Sequence, residues 1–260
     1  MKIVVLVKQV PDTWGERQLN PDTGRVDRDA TDRVIDEIGE RALEVALTYR
    51  DAHKGTEVVV LSMGPASVTA ALRKSLSMGA DSAIHVLDDA LVGADVGWTA
   101  RVLAAAITRA GCDLVVGGNE STDGRGGVVP AMIAEHLGQP HLGYLNTVEL
   151  TDTQVAGERT TESGLVRAHC PLPAVISVTE SLPEARFPNF KGILTAKKKP
   201  LEVLSLPDLG LDPASAFDGQ ARSRVVTTTP RPARSAGTKT VDTGNAAVEL
   251  ADFLVAERLI

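Results

Sequence analysis

Residues 117–132 read GGNESTDGRGGVVPAM. Five glycines sit among polar side chains, after the apolar run LVVG at 114–117 and before a stripe of Val129, Met132, Ile133 and Leu137 at helical spacing. A β-type run, a glycine-rich turn and an amphipathic helix, in that order, form the repeating unit of parallel α/β sheets. The loop also carries a chemical signal. Glycine lets backbone N–H groups approach a phosphate, and a helix N-terminus favours negative charge. Taken alone, the loop reads equally well as a plain turn.

Working outward, the same unit recurs. Residues 3–7 (IVVLV), 57–62 (EVVVLS) and 83–87 (AIHVL) read as further strands. Near-continuous apolar runs such as the first two suit strands covered on both faces. Between them, apolar residues fall on single helical faces: Ile38, Ala42, Val45, Ala46 and Tyr49; Val68, Ala71, Leu72 and Leu76; Val96, Ala100, Leu103 and Ile107. Pro65 is expected to open the second helix, and Gly79 and Gly111 to end the second and third. The expected fold is a doubly wound, mostly parallel α/β sheet with right-handed crossovers. Ligands of such sheets bind beyond the carboxyl ends of the strands. Three of these ends are turn-like here: VKQVPDT, SMGP and the glycine-rich loop.

Beyond Pro140 the pattern changes. Residues 148–150, 165–169 and 174–178 read as strands, with a hairpin turn near Ser163 and Gly164 and the last run free to rejoin the main sheet. From about Pro213 to Gly244 the composition shifts to Ser, Thr, Pro, Gly and Arg without periodicity, the signature of a linker or extended arm. The end returns to an amphipathic helix with Val248, Leu250, Phe253, Leu254 and Leu259. The expected division is an α/β domain over 1–212 and an arm with its terminal helix over 213–260.

Composition narrows the function. The 260 residues carry a formal net charge of -7, which argues against general nucleic-acid binding. No apolar run approaches the roughly 20 residues of a membrane helix, so the chain is not expected to be a membrane protein. Cys112 and Cys170 lie far apart without metal-ligand spacing, as suits a reducing cytoplasm. No HExxH, nucleophile elbow or Walker loop occurs, and His85, inside a strand, reads as a core residue. The chain therefore reads as a binding protein without catalytic residues or a metal. One segment is out of character. Residues 186–200, RFPNFKGILTAKKKP, hold two of the chain's four Phe and four Lys.

Several motifs together resemble a known family: VVLVKQVPDT at 4–13, SMGP at 62–65, SLSMGADSAIHV at 75–86, GNESTDG at 118–124, LPAVISV at 172–178 and RFPNFKGILTAKKKPLEVL at 186–204. The chain is similar over nearly its whole length to electron-transferring flavoprotein beta subunits of the FixA-like bacterial form. The resemblance implies an adenine-nucleotide alpha-hydrolase-like fold. It implies an alpha-subunit partner that holds most of a shared FAD, and a structural AMP in the beta chain. Electrons would come from acyl-CoA and related dehydrogenases and pass to a membrane-bound quinone oxidoreductase.

Matched position by position, the implied nucleotide contacts are Leu6, Asp36, Glu37, Ile38, Gly39 and Met63. They continue through the loop Gly118, Asn119, Glu120, Ser121, Thr122, Asp123, Gly124, Arg125, Gly126, Gly127, Val128 and Val129. The phosphate is expected on backbone amides between Asp123 and Val129, with Arg125 as a possible charged partner. AMP-binding members carry Asn-Gln-Thr where this chain has Gly127-Val128-Val129. Asp123, Gly124, Val129 and Pro130 echo bifurcating members, which hold a second FAD here, whereas Arg125 and Val128 replace polar residues of that group. An aromatic residue that touches the flavin in some members matches Thr13, with Trp14 beside it. The basic-aromatic segment matches the loop that docks the dehydrogenase. Phe190 is its anchor, and Phe187, Lys191, Ile193, Lys197, Lys198 and Lys199 surround it. Pro183 and Pro188 would hold the approach extended, and Gly192 would end the tip. The alternative is a free-standing universal-stress-like nucleotide-binding protein, which would share the α/β core and have no use for this segment or the arm.

Overall fold

The computed structural model describes residues 1–15, 17–212, 223, 225–229, 232, 237 and 239–260. Seven parallel strands form the central sheet: β1 (Lys2–Leu6), β4 (Glu57–Met63), β5 (Ser82–Val86), β6 (Leu114–Gly118), β7 (His141–Leu145), β11 (Ala174–Val178) and β12 (Leu201–Leu204). Their spatial order is β12-β5-β4-β1-β6-β11-β7. Strand order reverses on either side of β1, which makes the sheet doubly wound.

The helices α1 (Glu37–Ala52) and α2 (Val68–Met78) cover one face, and α3 (Val96–Ala110) and α4 (Val129–Leu137) the other. The apolar runs are continuous because alternate residues serve two cores. In β1, Ile3 and Val5 pack under α1 while Val4 packs under α3. Residues 174–178 do rejoin the sheet, between β6 and β7. Residues 201–204 add an edge strand beside β5. The hairpin β9 (Gln154–Thr161) and β10 (Gly164–Pro171) pairs with β8 (Thr147–Leu150) in a separate antiparallel sheet.

Local chemistry sets the helix ends. Asp36 and Asp95 cap α1 and α3, and Gly79 and Gly111 end α2 and α3 at positive φ. Pro65 does not open α2, which begins at Val68. Residues 65–67 form a turn instead. The Ser67 hydroxyl donates to Gln9 Oε1 (2.9 Å) and the Gln9 amide donates back to the Ser67 carbonyl (3.0 Å). His85 is fully buried and satisfied by the Gly64 carbonyl (2.9 Å) and the Thr69 hydroxyl.

Between β2 (Gln9–Pro11) and its antiparallel partner β3 (Arg33–Ile35), the chain makes a long excursion over the carboxyl end of the sheet. The segment ahead of β12 is helical. α5 (Phe190–Ala196) replaces the extended loop expected there. The residues group into two compact units, Met1–Thr227 and Thr228–Ile260. In the second, α6 (Ala246–Ala256) has no buried residue. Most of the expected arm, 213–222 and much of 224–238, lies outside the described residues.

Candidate nucleotide site and docking helix

The three turn-like strand ends converge. Leu6 ends β1, Met63 ends β4 and Gly118 ends β6, and these are adjacent strands in the order β4-β1-β6. The floor is tightly packed. A Cβ on Gly118 would lie 3.0 Å from Ile38 Cγ2, and one on Gly117 3.3 Å from Leu6 Cδ1. Ile38 is buried and its N–H is taken by Asp36, so neither its side chain nor its amide is open to a ligand.

Two carboxylates brace the glycine-rich loop. Asp36 is buried, and one oxygen accepts from the Ile38 amide (3.1 Å). The other accepts from the Thr122 amide (2.6 Å) and hydroxyl (2.8 Å). Asp36 therefore ties the N-terminus of α1 to the loop. The Asp123 side chain has no exposed surface. It pairs with Lys8 Nζ (2.7 Å) and Arg28 Nη2 (2.9 Å) and accepts from the Gly124 amide (2.7 Å). Burial pushes its pKa up, but Lys8, the Ser121 hydroxyl and Arg28 outweigh that and hold it down at about 2. Arg17 completes the brace, donating to the Thr122 carbonyl and hydroxyl and to the Pro11 carbonyl.

The excursion of residues 12–32 is thus latched to the loop at Thr122 and Asp123. Neither Lys8, Arg17 nor Arg28 was singled out from sequence. No local signal marks them, since acids outnumber bases across residues 12–32. Trp14, in the same excursion, is almost wholly exposed.

The amides sort themselves. Those of Gly124 and Arg125 are engaged within the loop, by Asp123 and Ser121 and by the Ser121 carbonyl (2.9 Å). Those of Gly126, Gly127 and Val128 find no acceptor among the described residues. Arg125 and Gly127 take positive φ (46° and 66°), which turns consecutive amides toward one side. No side chain caps α4, so its first turn stays open to an anion. Asn119 is 8% exposed, and its Oδ1 has no partner among the described residues. A buried carbonyl oxygen without a donor is costly, and a ligand donor would satisfy it. Open amides, an uncapped helix and this oxygen fit the phosphate and polar groups of a nucleotide. Glu37 is exposed in the first turn of α1, and Glu120 is half-buried just after β6.

The second candidate region is α5. Asn189 caps it, accepting from the Gly192 amide (2.7 Å), and Arg73 on α2 holds its far end through the carbonyls of Ala196 and Lys199. Gly192 does not end a tip. It lies inside the helix, where a Cβ would come within 2.2 Å of the Ser77 carbonyl oxygen, so only glycine allows this approach to α2. Pro183 and Pro188 do precede the helix without regular structure.

Phe190 (77% exposed) shares one helical stripe with Ile193 and Leu194, and Phe187 (91%) stands just ahead. Leu194 went unnoticed in the sequence, although its spacing of four from Phe190 marks the same face. Lys191, Lys197 and Lys198 are exposed. Lys199 differs. Its ammonium donates to the carbonyls of Leu76 (2.9 Å), Gly79 (3.2 Å) and Ala80 (2.6 Å), closing the C-terminus of α2, and burial pulls its pKa down. It is a structural cation rather than part of the basic rim.

Comparison with known proteins agrees with this architecture. Residues 23–209 match the electron transfer flavoprotein domain. The chain is 48% identical to the electron transfer flavoprotein subunit beta of Mycobacterium leprae and 49% identical to that of Mycobacterium tuberculosis (strain ATCC 25618 / H37Rv), with 99% of each chain covered. It is 33% identical to the caffeyl-CoA reductase-Etf complex subunit CarD of Acetobacterium woodii, over 99% of this chain and 97% of that one. With the domain matched over most of the sheet and beta subunits matched end to end, the chain belongs to the electron transfer flavoprotein family, on its beta-subunit side.

Proposed function

We propose that this chain works in the cytoplasm as the beta subunit of a heterodimeric electron carrier whose FAD is held mainly by the alpha subunit. The carrier takes electrons from acyl-CoA and related dehydrogenases and hands them to a membrane-bound quinone oxidoreductase. The chain is a scaffold and docking subunit without substrate chemistry of its own. The observation that carries the nucleotide part is the loop braced by Asp36 and Asp123, with open amides at Gly126, Gly127 and Val128. We assign AMP to this site. Its phosphate meets those amides and the N-terminus of α4, while Asp123 stays beneath Lys8 and Arg28 and does not face the phosphate. Arg125 is exposed and free to swing onto the anion, adding a charge-assisted bond.

A second reading, a further FAD in place of AMP, is favoured by the sequence of Asp123, Gly124, Val129 and Pro130. The docking part rests on α5. Phe190 enters an apolar pocket of the dehydrogenase, flanked by Phe187, Ile193 and Leu194. Lys191, Lys197 and Lys198 steer an acidic partner from the rim. The test is mass spectrometry of the small molecules released from the heterodimer co-expressed with its alpha subunit. One FAD and one AMP per heterodimer is the expected result. Two FAD and no AMP establishes the second reading, and a colourless chain that never forms a heterodimer overturns both.

A further inference from the structure

Tyr144 stands in β7 at φ 60°, a left-handed conformation that residues other than glycine rarely take. A register irregularity in the pairing with β11, between Ile176 and Val178, accompanies it. The Tyr144 amide donates not to a sheet carbonyl but to the hydroxyl of buried Ser177 (3.0 Å). This local break in the ladder has a visible consequence. The phenol hydroxyl reaches across and donates to the Gly127 carbonyl at 2.9 Å. The two residues are fitted to each other, since a Cβ on Gly127 would lie 2.7 Å from the Tyr144 hydroxyl oxygen.

The peptide plane turns this contact into a statement about the site. The Gly127 carbonyl and the Val128 N–H belong to one planar trans unit and point in opposite directions. Holding the carbonyl on Tyr144 therefore aims the Val128 N–H away from β7, and that N–H finds no acceptor among the described residues. It lies directly before the uncapped start of α4. Asn119, whose amide bonds to Val178 at the end of neighbouring β11, adds its unpartnered and more than nine-tenths buried Oδ1 to the same sheet edge.

We propose that Tyr144 is a positioning residue of the nucleotide site. Its hydroxyl orients the Gly127–Val128 peptide so that the Val128 amide binds the phosphate. The inference rests on the adenine-nucleotide reading of the site given above.

The experiment uses the co-expressed heterodimer and measures exchange of bound nucleotide against radiolabelled AMP, for the natural chain, Tyr144→Phe and Tyr144→Gly. A neutral hydrogen bond that orients a ligand-binding group is worth about three- to tenfold in binding. Tyr144→Phe should therefore release AMP about three- to tenfold faster, with flavin content and thermal unfolding unchanged. Tyr144→Gly accepts φ 60° without strain but lacks the hydroxyl, so it should lose nucleotide at least as fast. A residue needed only for its place in the strand would predict the opposite, with Gly serving as well as Tyr. Exchange in both variants at the natural rate overturns the proposal while leaving the AMP reading intact. Failure of the natural heterodimer to hold or take up AMP overturns the reading and the proposal with it.

Discussion

Asp123 is an acidic residue inside a site argued to bind an anion, and its surroundings explain why. Its carboxylate is covered by Lys8 and Arg28, which stay about 40% exposed on their outer sides. The acid draws two cations to the loop and stops them repelling each other, so the local balance remains favourable to a phosphate. Because its pKa is depressed to about 2, its contribution to stability is complete above about pH 4 and is lost as pH falls through about 2. Asp123→Asn should lower stability by up to about 2 kcal/mol at pH 7, since Lys8 and Arg28 lose their shared partner but keep some water. Thermal melts of the two proteins should converge as pH approaches 2, where the natural carboxyl is protonated too. A gap that stays constant across the acid range would show that the charge is irrelevant. The sequence marked Asp123 as a site residue but assigned it no direction. That it faces Lys8 and Arg28 is decided by tertiary folding, since they lie 115 and 95 residues away in the chain.

At the scale of elements, α5 is a short helix held in place by its neighbours rather than by its own propensity. Seven residues with a central glycine would not form a stable helix alone. Asn189 caps one end, Arg73 holds the other, and Gly192 lets the backbone meet α2. Arg186 anchors the approach, with a two-oxygen pairing to Glu44 on α1 (2.8–3.1 Å) and a contact with Asp51 (2.6 Å). The result is a rigid mount for an exposed apolar stripe, and a preformed stripe costs less to immobilise on binding than a loop. Phe190→Ala should slow electron transfer from the dehydrogenase by about tenfold or more at sub-saturating carrier, leaving nucleotide content and melting unchanged. Leu194→Ala, one turn along, should act in the same direction. Lys198→Ala should have a smaller effect that fades with added salt, and Lys199→Ala should instead lower thermal stability because it uncaps α2. Stopped-flow reduction of the carrier separates these outcomes. Unfolding or nucleotide loss in Phe190→Ala would place the ring in the core and end the docking assignment.

At the scale of the whole molecule, the unit Thr228–Ile260 carries a helix with Val248, Leu250, Phe253 and Val255 at least half exposed. Val248 and Val255 lie on one side of this helix and Leu250 and Phe253 on the other, and exposed apolar surface of this extent calls for a covering partner. We propose that the alpha subunit of the proposed heterodimer is that partner, because the helix lies beyond a stretch of low hydrophobicity. A chain lacking residues 230–260 should keep its α/β fold and bind the alpha subunit at least tenfold more weakly, measured by titration of the purified subunits. An unchanged dissociation constant would assign the helix to its own chain.

The doubly wound sheet was legible because its signals are local and repeated. Each strand of the first half is an apolar run, each helix has a 3.6-residue stripe, and glycines end two helices where left-handed backbone is needed. The glycine-rich loop was legible as a strand-to-helix turn for the same reason, since its composition dictates its conformations. Other features depend on contacts distant in sequence. Pro65 yielded the start of α2 to a pair of hydrogen bonds between Gln9 and Ser67. Residues 190–196 became a helix because α2 offers them a surface, and Lys199 left the basic rim because α2 ends beside it. Tyr144 gives no sign in the sequence at all, because nothing near it in the chain shows that a break in the sheet ladder turns its hydroxyl onto Gly127. The sequence alone determined the layers, the strand ends that gather at the site and the family. Only the tertiary structure decided which amides remain open and which charges face one another, because those depend on surfaces that meet only after the sheet is wound.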